Sequence, residues 1–204
     1  MITIVDYGLG NIKAFVNVYK RLNIPIRIAR ESIDLKNATH IILPGVGAFD
    51  YAMAKLNASG MREELEKQVI INKIPILGVC VGMQILGKSS EEGNSVGLGW
   101  IDGEVKRLDT KLIPYKTKLP HMGWNTVSIS KGSELFYNII NNSRFYFLHS
   151  YYFYCRNNED IVNTTKYGID FASAILHENI YGVQFHPEKS HSNGIGLLQN
   201  FARL

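Results

Sequence analysis

The sequence predicts an α/β fold, a single-domain open sheet flanked by helices, parallel in its first half and mixed overall, spanning residues 1–204. Three observations lead there. The first half alternates short apolar runs with amphipathic stretches, the pattern of βαβ units around a parallel sheet. The second half is mostly strand-like segments divided by turn formers such as Lys131-Gly132-Ser133 and Asn141-Asn142-Ser143. Between them, Gly78-Val79-Cys80-Val81-Gly82 sets one thiol between two glycines. There the apolar run Ile74-Pro75-Ile76-Leu77 gives way to the helix-like Met83-Gln84-Ile85-Leu86.

In chain order, the short apolar runs place strands near 2–5, 25–29, 40–43 and 75–79. The amphipathic stretches between them place helices near 11–22, 48–57, 60–73 and 81–88. Further on, strands are expected at 98–107, 125–130, 144–154, 161–167, 171–176 and 180–185, with helices only at 133–140 and 192–203. The chain contains no internal repeat, low-complexity tract or linker-like stretch, so both halves are assigned to one domain.

Composition narrows the function classes. With 46% hydrophobic and 20% charged residues the chain is an ordinary globular one. Its net charge of +4 comes from 22 basic and 18 acidic residues that alternate along the sequence, which does not indicate nucleic-acid binding. The mildly basic stretch from Glu104 to Lys118 reads as a solvated loop. Two cysteines, Cys80 and Cys155, make no disulfide framework and suit a reducing compartment. Met1-Ile2-Thr3-Ile4-Val5-Asp6 lacks the basic start of a secretory signal, and no apolar run reaches the length of a membrane span. A cytoplasmic protein without membrane association is expected.

The glycine-flanked cysteine carries the chemistry. A sharp strand-to-helix turn strains its central residue and needs small neighbours, and it presents the sulfur at a helix N-terminus, where the dipole favours thiolate. Near the C-terminus, the strand-like Ile180–Phe185 runs into His186-Pro187-Glu188-Lys189-Ser190. In extended backbone Glu188 falls on the same face as His186, with Pro187 restraining the pair. A cysteine nucleophile needs a base, and the base needs a carboxylate to orient it; Cys80, His186 and Glu188 supply all three. One βα unit upstream, Pro44-Gly45-Val46-Gly47-Ala48-Phe49 offers backbone N–H groups for an oxyanion. Asp6-Tyr7-Gly8-Leu9-Gly10-Asn11 begins like a dinucleotide fingerprint but lacks its third glycine and acidic ribose partner, so a nicotinamide site is rejected. No metal and no cofactor is expected.

Together these motifs resemble the class I (triad) glutamine amidotransferases, with cysteine, histidine and glutamate in this chain order; in α/β-hydrolases the acid precedes the histidine. Within that family the chain is most similar to the glutaminase subunits of imidazole glycerol phosphate synthases. Asp6–Asn11, Leu43–Phe49, Gly78–Gln84, Pro120-His121-Met122-Gly123-Trp124-Asn125, Phe147-Leu148-His149-Ser150-Tyr151 and Gln184–Ser190 carry that likeness over the whole chain. The resemblance implies a flavodoxin-like sheet with a nucleophile elbow, and glutamine hydrolysis through a Cys80 thioester with His186 and Glu188 as the rest of the triad. It also implies a glutamine site around Gly45, Gly47, Val81, Gln84, His149, Ser150 and Tyr151, and a partner face at Trp124, Asn125 and Lys189. The implied partner is a (βα)8-barrel cyclase that takes up the ammonia. Ser89–Gly93, Gly97–Asp102 and Lys166–Phe171 are instead closer to a paralogous branch that serves a sugar amidotransferase in surface-polysaccharide synthesis, which gives the alternative acceptor. His40, His177, His191 and Cys155 are read as ordinary structural residues.

Overall fold

The computed structural model describes residues 1–204. Strand β1 (Ile2–Val5) leads to helix α1 (Ile12–Arg21), β2 (Ile26–Ala29), β3 (His40–Gly45), α2 (Phe49–Ala58) and α3 (Arg62–Glu66), which continues as a π-helical turn over Lys67–Ile71. Strand β4 (Ile76–Cys80) ends at the short helix α4 (Val81–Gln84). The remainder is β5 (Ser89–Ser90), β6 (Gly103–Arg107), β7 (His121–Ile129), β8 (Ser143–His149), β9 (Tyr151–Cys155), β10 (Ile161–Tyr167), β11 (Ile169–His177), β12 (Ile180–Val183) and α5 (His191–Phe201).

Nine strands form one sheet in the order β2-β1-β3-β4-β12-β11-β10-β7-β8. Pairing is parallel from β2 to β12 and antiparallel from β12 to β8. The short apolar strands β1, β3 and β4 are buried nearly throughout, as parallel strands covered on both faces must be. Strands β5, β6 and β9 make a second, small sheet, seated where the Phe153 ring packs against Gly87 and Gly103. One buried apolar cluster runs through both halves, from Ile2 to Phe201.

Five expectations are corrected. The helix predicted over 81–88 is helical only to Gln84, because Leu98, Gly99 and Trp100 donate their N–H groups to the carbonyls of Ile85, Gly87 and Leu86. Those same bonds keep 98–102 out of a strand, so the expected strand 98–107 begins at Gly103. The strand expected over 144–154 is two strands in two sheets, divided at Ser150. The helix expected over 133–140 is only a 3-10 turn, Glu134–Phe136, capped by the Ser133 hydroxyl, which accepts from the Leu135 N–H. The basic stretch 104–118 is strand up to Arg107 and irregular beyond it.

The crossing of β3 and α4 tolerates no side chain at Gly82: a Cβ there would overlap the Leu43 carbonyl oxygen. Gly82→Ala is therefore expected to cost about 3 kcal/mol or more in urea unfolding. Gly132→Ala, where a Cβ meets nothing within 4 Å, leaves the midpoint within about 0.5 kcal/mol.

Candidate active site

Cys80 closes β4 with φ 56° and ψ −113°, a region that residues with a Cβ rarely occupy and that stores about 1–3 kcal/mol. The flanking glycines make the bend possible. A Cβ on Gly78 would lie 2.7 Å from the Gly82 carbonyl oxygen and 2.8 Å from the Met83 Cα. The sulfur is nearly buried yet borders a cleft of about 280 Å³, a volume that suits a small metabolite.

His186 arrives from the neighbouring strand. Strand β12 pairs in parallel with β4, Val183 opposite Val79, so the residues that follow both strands emerge at one edge. His186 Nδ1 lies 2.9 Å from Glu188 Oε1, with the two side chains 3% and 1% exposed. The pair meets by a different route from the one expected. His186 is extended, but Pro187–Lys189 forms a 3-10 turn that swings the Glu188 carboxylate back. The Ser190 hydroxyl fastens this turn by donating to the His186 carbonyl at 2.6 Å and accepting from the Tyr146 N–H at 3.0 Å. Burial pulls the His186 pKa down, but hydrogen bonding and charge from Cys80 and Glu188 outweigh it and lift the imidazole to about 10. It therefore holds a proton near neutrality.

Val46, Gly47, Val81, Gln84, His149, Ser150 and Tyr151 all border the cleft beside Cys80 and His186. Gly47 has φ 97°, the left-handed region open to glycine. Gly45 is not at the cleft surface. It pairs with Cys80 across β3 and β4, and a Cβ on it would come 3.1 Å from the Tyr7 hydroxyl. Gln84 Nε2 donates to the Tyr151 carbonyl and to Gln184 Oε1, each at 3.0 Å. Gln184 Nε2 in turn donates to Cys80 Sγ at 3.8 Å. The His149 ring is engaged on both nitrogens, by His121 Nδ1 at 2.9 Å and the Tyr151 carbonyl at 2.8 Å, so it forms a wall of the cleft.

Sequence reasoning passed over Glu92 and Tyr7. Glu92 borders the cleft and its Oε2 accepts from the Phe49 N–H at 2.9 Å; the only trace in sequence is an acidic pair soon after the elbow. Tyr7 is buried and donates its hydroxyl to the Pro44 carbonyl at 2.8 Å. The turn that resembled a dinucleotide fingerprint thus braces the Gly45–Gly47 loop.

Of the residues expected on a partner face, Trp124 and Lys189 come together around Tyr146. The two aromatic rings are 6.2 Å apart and the Lys189 Nζ is 5.7 Å from the Tyr146 ring. Trp124 also stacks on His191 at 5.1 Å. Asn125, on the opposite face of β7, is hydrogen-bonded to His121 Nε2 and the Lys166 carbonyl. Cys155 is buried, which raises its pKa to about 12.

The chain belongs to the class-I glutamine amidotransferases: the family model described as Glutamine amidotransferase class-I matches residues 3–203. Its full-length relatives carry a narrower name. It is 54% identical to the imidazole glycerol phosphate synthase subunit HisH of Bdellovibrio bacteriovorus and 52% identical to that of Leptospira borgpetersenii, each match covering 100% of both chains. It is 44% identical to HisH 2 of Pseudomonas aeruginosa, again over both chains in full. Among solved structures, a glutamine amidotransferase matches with a TM-score of 0.75 at 16% identity, over 100% of this chain and 99% of that one. PurLQS from Thermotoga maritima matches at 0.74 and 17% identity, over 99% and 97%. These structures share the fold.

Burial holds the His121 and His149 pKa values down, to about 4 and about 3, and lowers that of His40 as well. The unfolded chain takes up protons at these sites near pH 6.5, whereas the folded chain resists. Stability is thus lost as pH falls from about 6.5 through 4. His186 is protonated in both states in that window and adds nothing to the slope. Thermal unfolding across it is expected to show a falling midpoint, and a flat profile would contradict the buried neutral pair.

Proposed function

We propose that the chain is the glutaminase subunit of an imidazole glycerol phosphate synthase, releasing ammonia from glutamine for a cyclase partner in histidine biosynthesis. The observation that carries this reading is the parallel β4·β12 pairing, which sets the strained Cys80 beside the His186–Glu188 pair at the cleft; the 42–54% identity to HisH subunits over the whole chain supports it.

In the reaction, the Cys80 thiolate adds to the side-chain amide carbon of glutamine. His186 gives its proton to the departing nitrogen, and a glutamyl thioester and ammonia result. Water then attacks the thioester, His186 accepting its proton, and glutamate leaves as the Cys80 thiolate and the protonated His186 are restored. Glu188 keeps the imidazole oriented and offsets its charge. Backbone N–H groups near Gly47 and Val81 receive the oxyanion. Glu92 offers a carboxylate to the substrate ammonium, and Gln84 with the Ser150–Tyr151 backbone forms the opposite wall. This machinery works in the cytoplasm, on the reading that the two cysteines stay reduced.

The partner is a (βα)8-barrel cyclase that docks over Trp124 and Lys189, where a large aromatic beside a cation suits an interface centre. Ammonia passes to it without meeting bulk water. A glycine-rich oxyanion loop has more than one accessible peptide orientation, so docking and acceptor binding raise the glutaminase rate.

Two experiments test this. Cys80→Ala is expected to lower glutamine hydrolysis by at least about 10³-fold while the assembled complex still uses ammonium salts, and Glu188→Gln to be milder by a factor of about 10 to 100; undiminished glutaminase in Cys80→Ala removes the triad. Mixing the chain with a histidine-pathway cyclase, glutamine and the formimino nucleotide is expected to yield imidazole glycerol phosphate, with faster glutamate release than from the chain alone. Binding to a sugar amidotransferase and to no such cyclase would transfer the assignment to surface-polysaccharide synthesis.

A further inference from the structure

His121 is buried on β7 directly across from His149 on β8, and neither reacts in the mechanism above. Two histidines 2.9 Å apart through ring nitrogens must share one proton between them if both are neutral, and burial keeps both neutral near pH 7. The remaining contacts determine which way the protons point. The Tyr151 carbonyl is only an acceptor, so His149 Nδ1 carries hydrogen and donates to it at 2.8 Å. His149 Nε2 is then the acceptor, and His121 Nδ1 must donate. His121 Nε2 is left as an acceptor and meets the Asn125 amide nitrogen at 3.1 Å.

Asn125 closes the chain without ambiguity. Its Oδ1 accepts from the Thr126 N–H at 2.8 Å, so Nδ2 is the nitrogen facing inward, and its second hydrogen goes to the Lys166 carbonyl at 3.0 Å. Both histidines are thus held as the Nδ1–H tautomer. The His121 ring is also clamped between Tyr167 and Phe147, at centroid distances of 4.0 and 4.7 Å. The Tyr151 carbonyl that receives this chain is the one that receives Gln84, which leads through Gln184 to the Cys80 sulfur.

We propose that Asn125, His121 and His149 are positioning residues for glutamine hydrolysis, one hydrogen-bond chain of fixed polarity that holds the Tyr151 carbonyl and, with it, the Ser150–Tyr151 wall and Gln84. The proposal rests on the glutaminase reading of the cleft. It gives Asn125 an inward role: its amide hydrogens are spent on the chain and on Lys166, and none is left for a docked protein. A wall misplaced by a broken chain binds glutamine less well but leaves the Cys80–His186 chemistry in place, so the effect falls on KM.

The test has two arms that fail separately. Nitrogen NMR of the imidazole rings in the full wild-type chain, which needs no activity, is expected to show Nδ1–H on both His121 and His149; Nε2–H on His149 overturns the proposal. In the assembled enzyme, His121→Phe keeps the aromatic stack but removes the donor. It is expected to raise the glutamine KM about tenfold, with kcat changed less than about threefold. A purely structural residue would lower the unfolding midpoint and leave KM alone, and that result also overturns the proposal. Should His121→Phe fail to fold, Asn125→Ala at the half-exposed end of the chain is expected to move His121 towards Nε2–H and raise KM about threefold; an unchanged tautomer and KM would sink it. Wild-type protein that releases no glutamate with any partner defeats the glutaminase reading and leaves the NMR arm standing.

Discussion

The parallel pairing of β12 with β4 is the constraint on which the rest depends. Strand β12 comes at the end of the chain after a run of antiparallel strands, yet it enters the sheet beside β4 and points the same way. Only that direction brings the end of β12 to the end of β4. With antiparallel pairing, His186 would leave at the opposite edge of the sheet, a strand length from Cys80. The pairing also marks where the sheet changes from parallel to antiparallel, and the cleft opens at that seam.

Close approach along the seam is made by the absence of side chains. Gly78, Gly82 and Gly45 lie where β3, β4 and α4 nearly touch, and each would clash with backbone if it carried a Cβ. The energy stored at Cys80 is sustained by the buried strands on either side, since a strained residue persists only where its surroundings over-determine it. The same approach brings Tyr7 up to Pro44, so the first βα turn supports the Gly45–Gly47 loop.

Apart from Glu188 Oε2, which has no partner, the polar side chains inside this site are hydrogen-bonded one to another, and that sets their states. His186 sits between Glu188 and Cys80 and keeps its proton; His121 and His149, as deeply buried, have no carboxylate or thiolate beside them and lose theirs, the charge on His186 adding to the effect of burial at His149. The same side chain in the same fold thus takes opposite charge states because its partners differ. Buried networks of this kind carry a high penalty for any missing member, which ties the shape of the cleft wall to residues outside its lining, such as His121 and Gln184.

The sequence alone was sufficient for the elbow once Gly-x-Cys-x-Gly, which by itself fits a buried cysteine on a glycine-flanked strand equally well, was read together with His186-Pro187-Glu188, and for β1, β3, β4 and β12, whose apolar runs can only be buried. It also put His186 beside Glu188, though through extended backbone where a 3-10 turn does the work. Strand direction and hydrogen-bond partnership were out of its reach. The division of 144–154 between two sheets, the ending of α4 at Gln84, the entry of Glu92 into the cleft and the His121–His149 chain all depend on contacts between distant segments. Local periodicity reports which face of an element is buried; which other element buries it is decided only when the chain closes on itself.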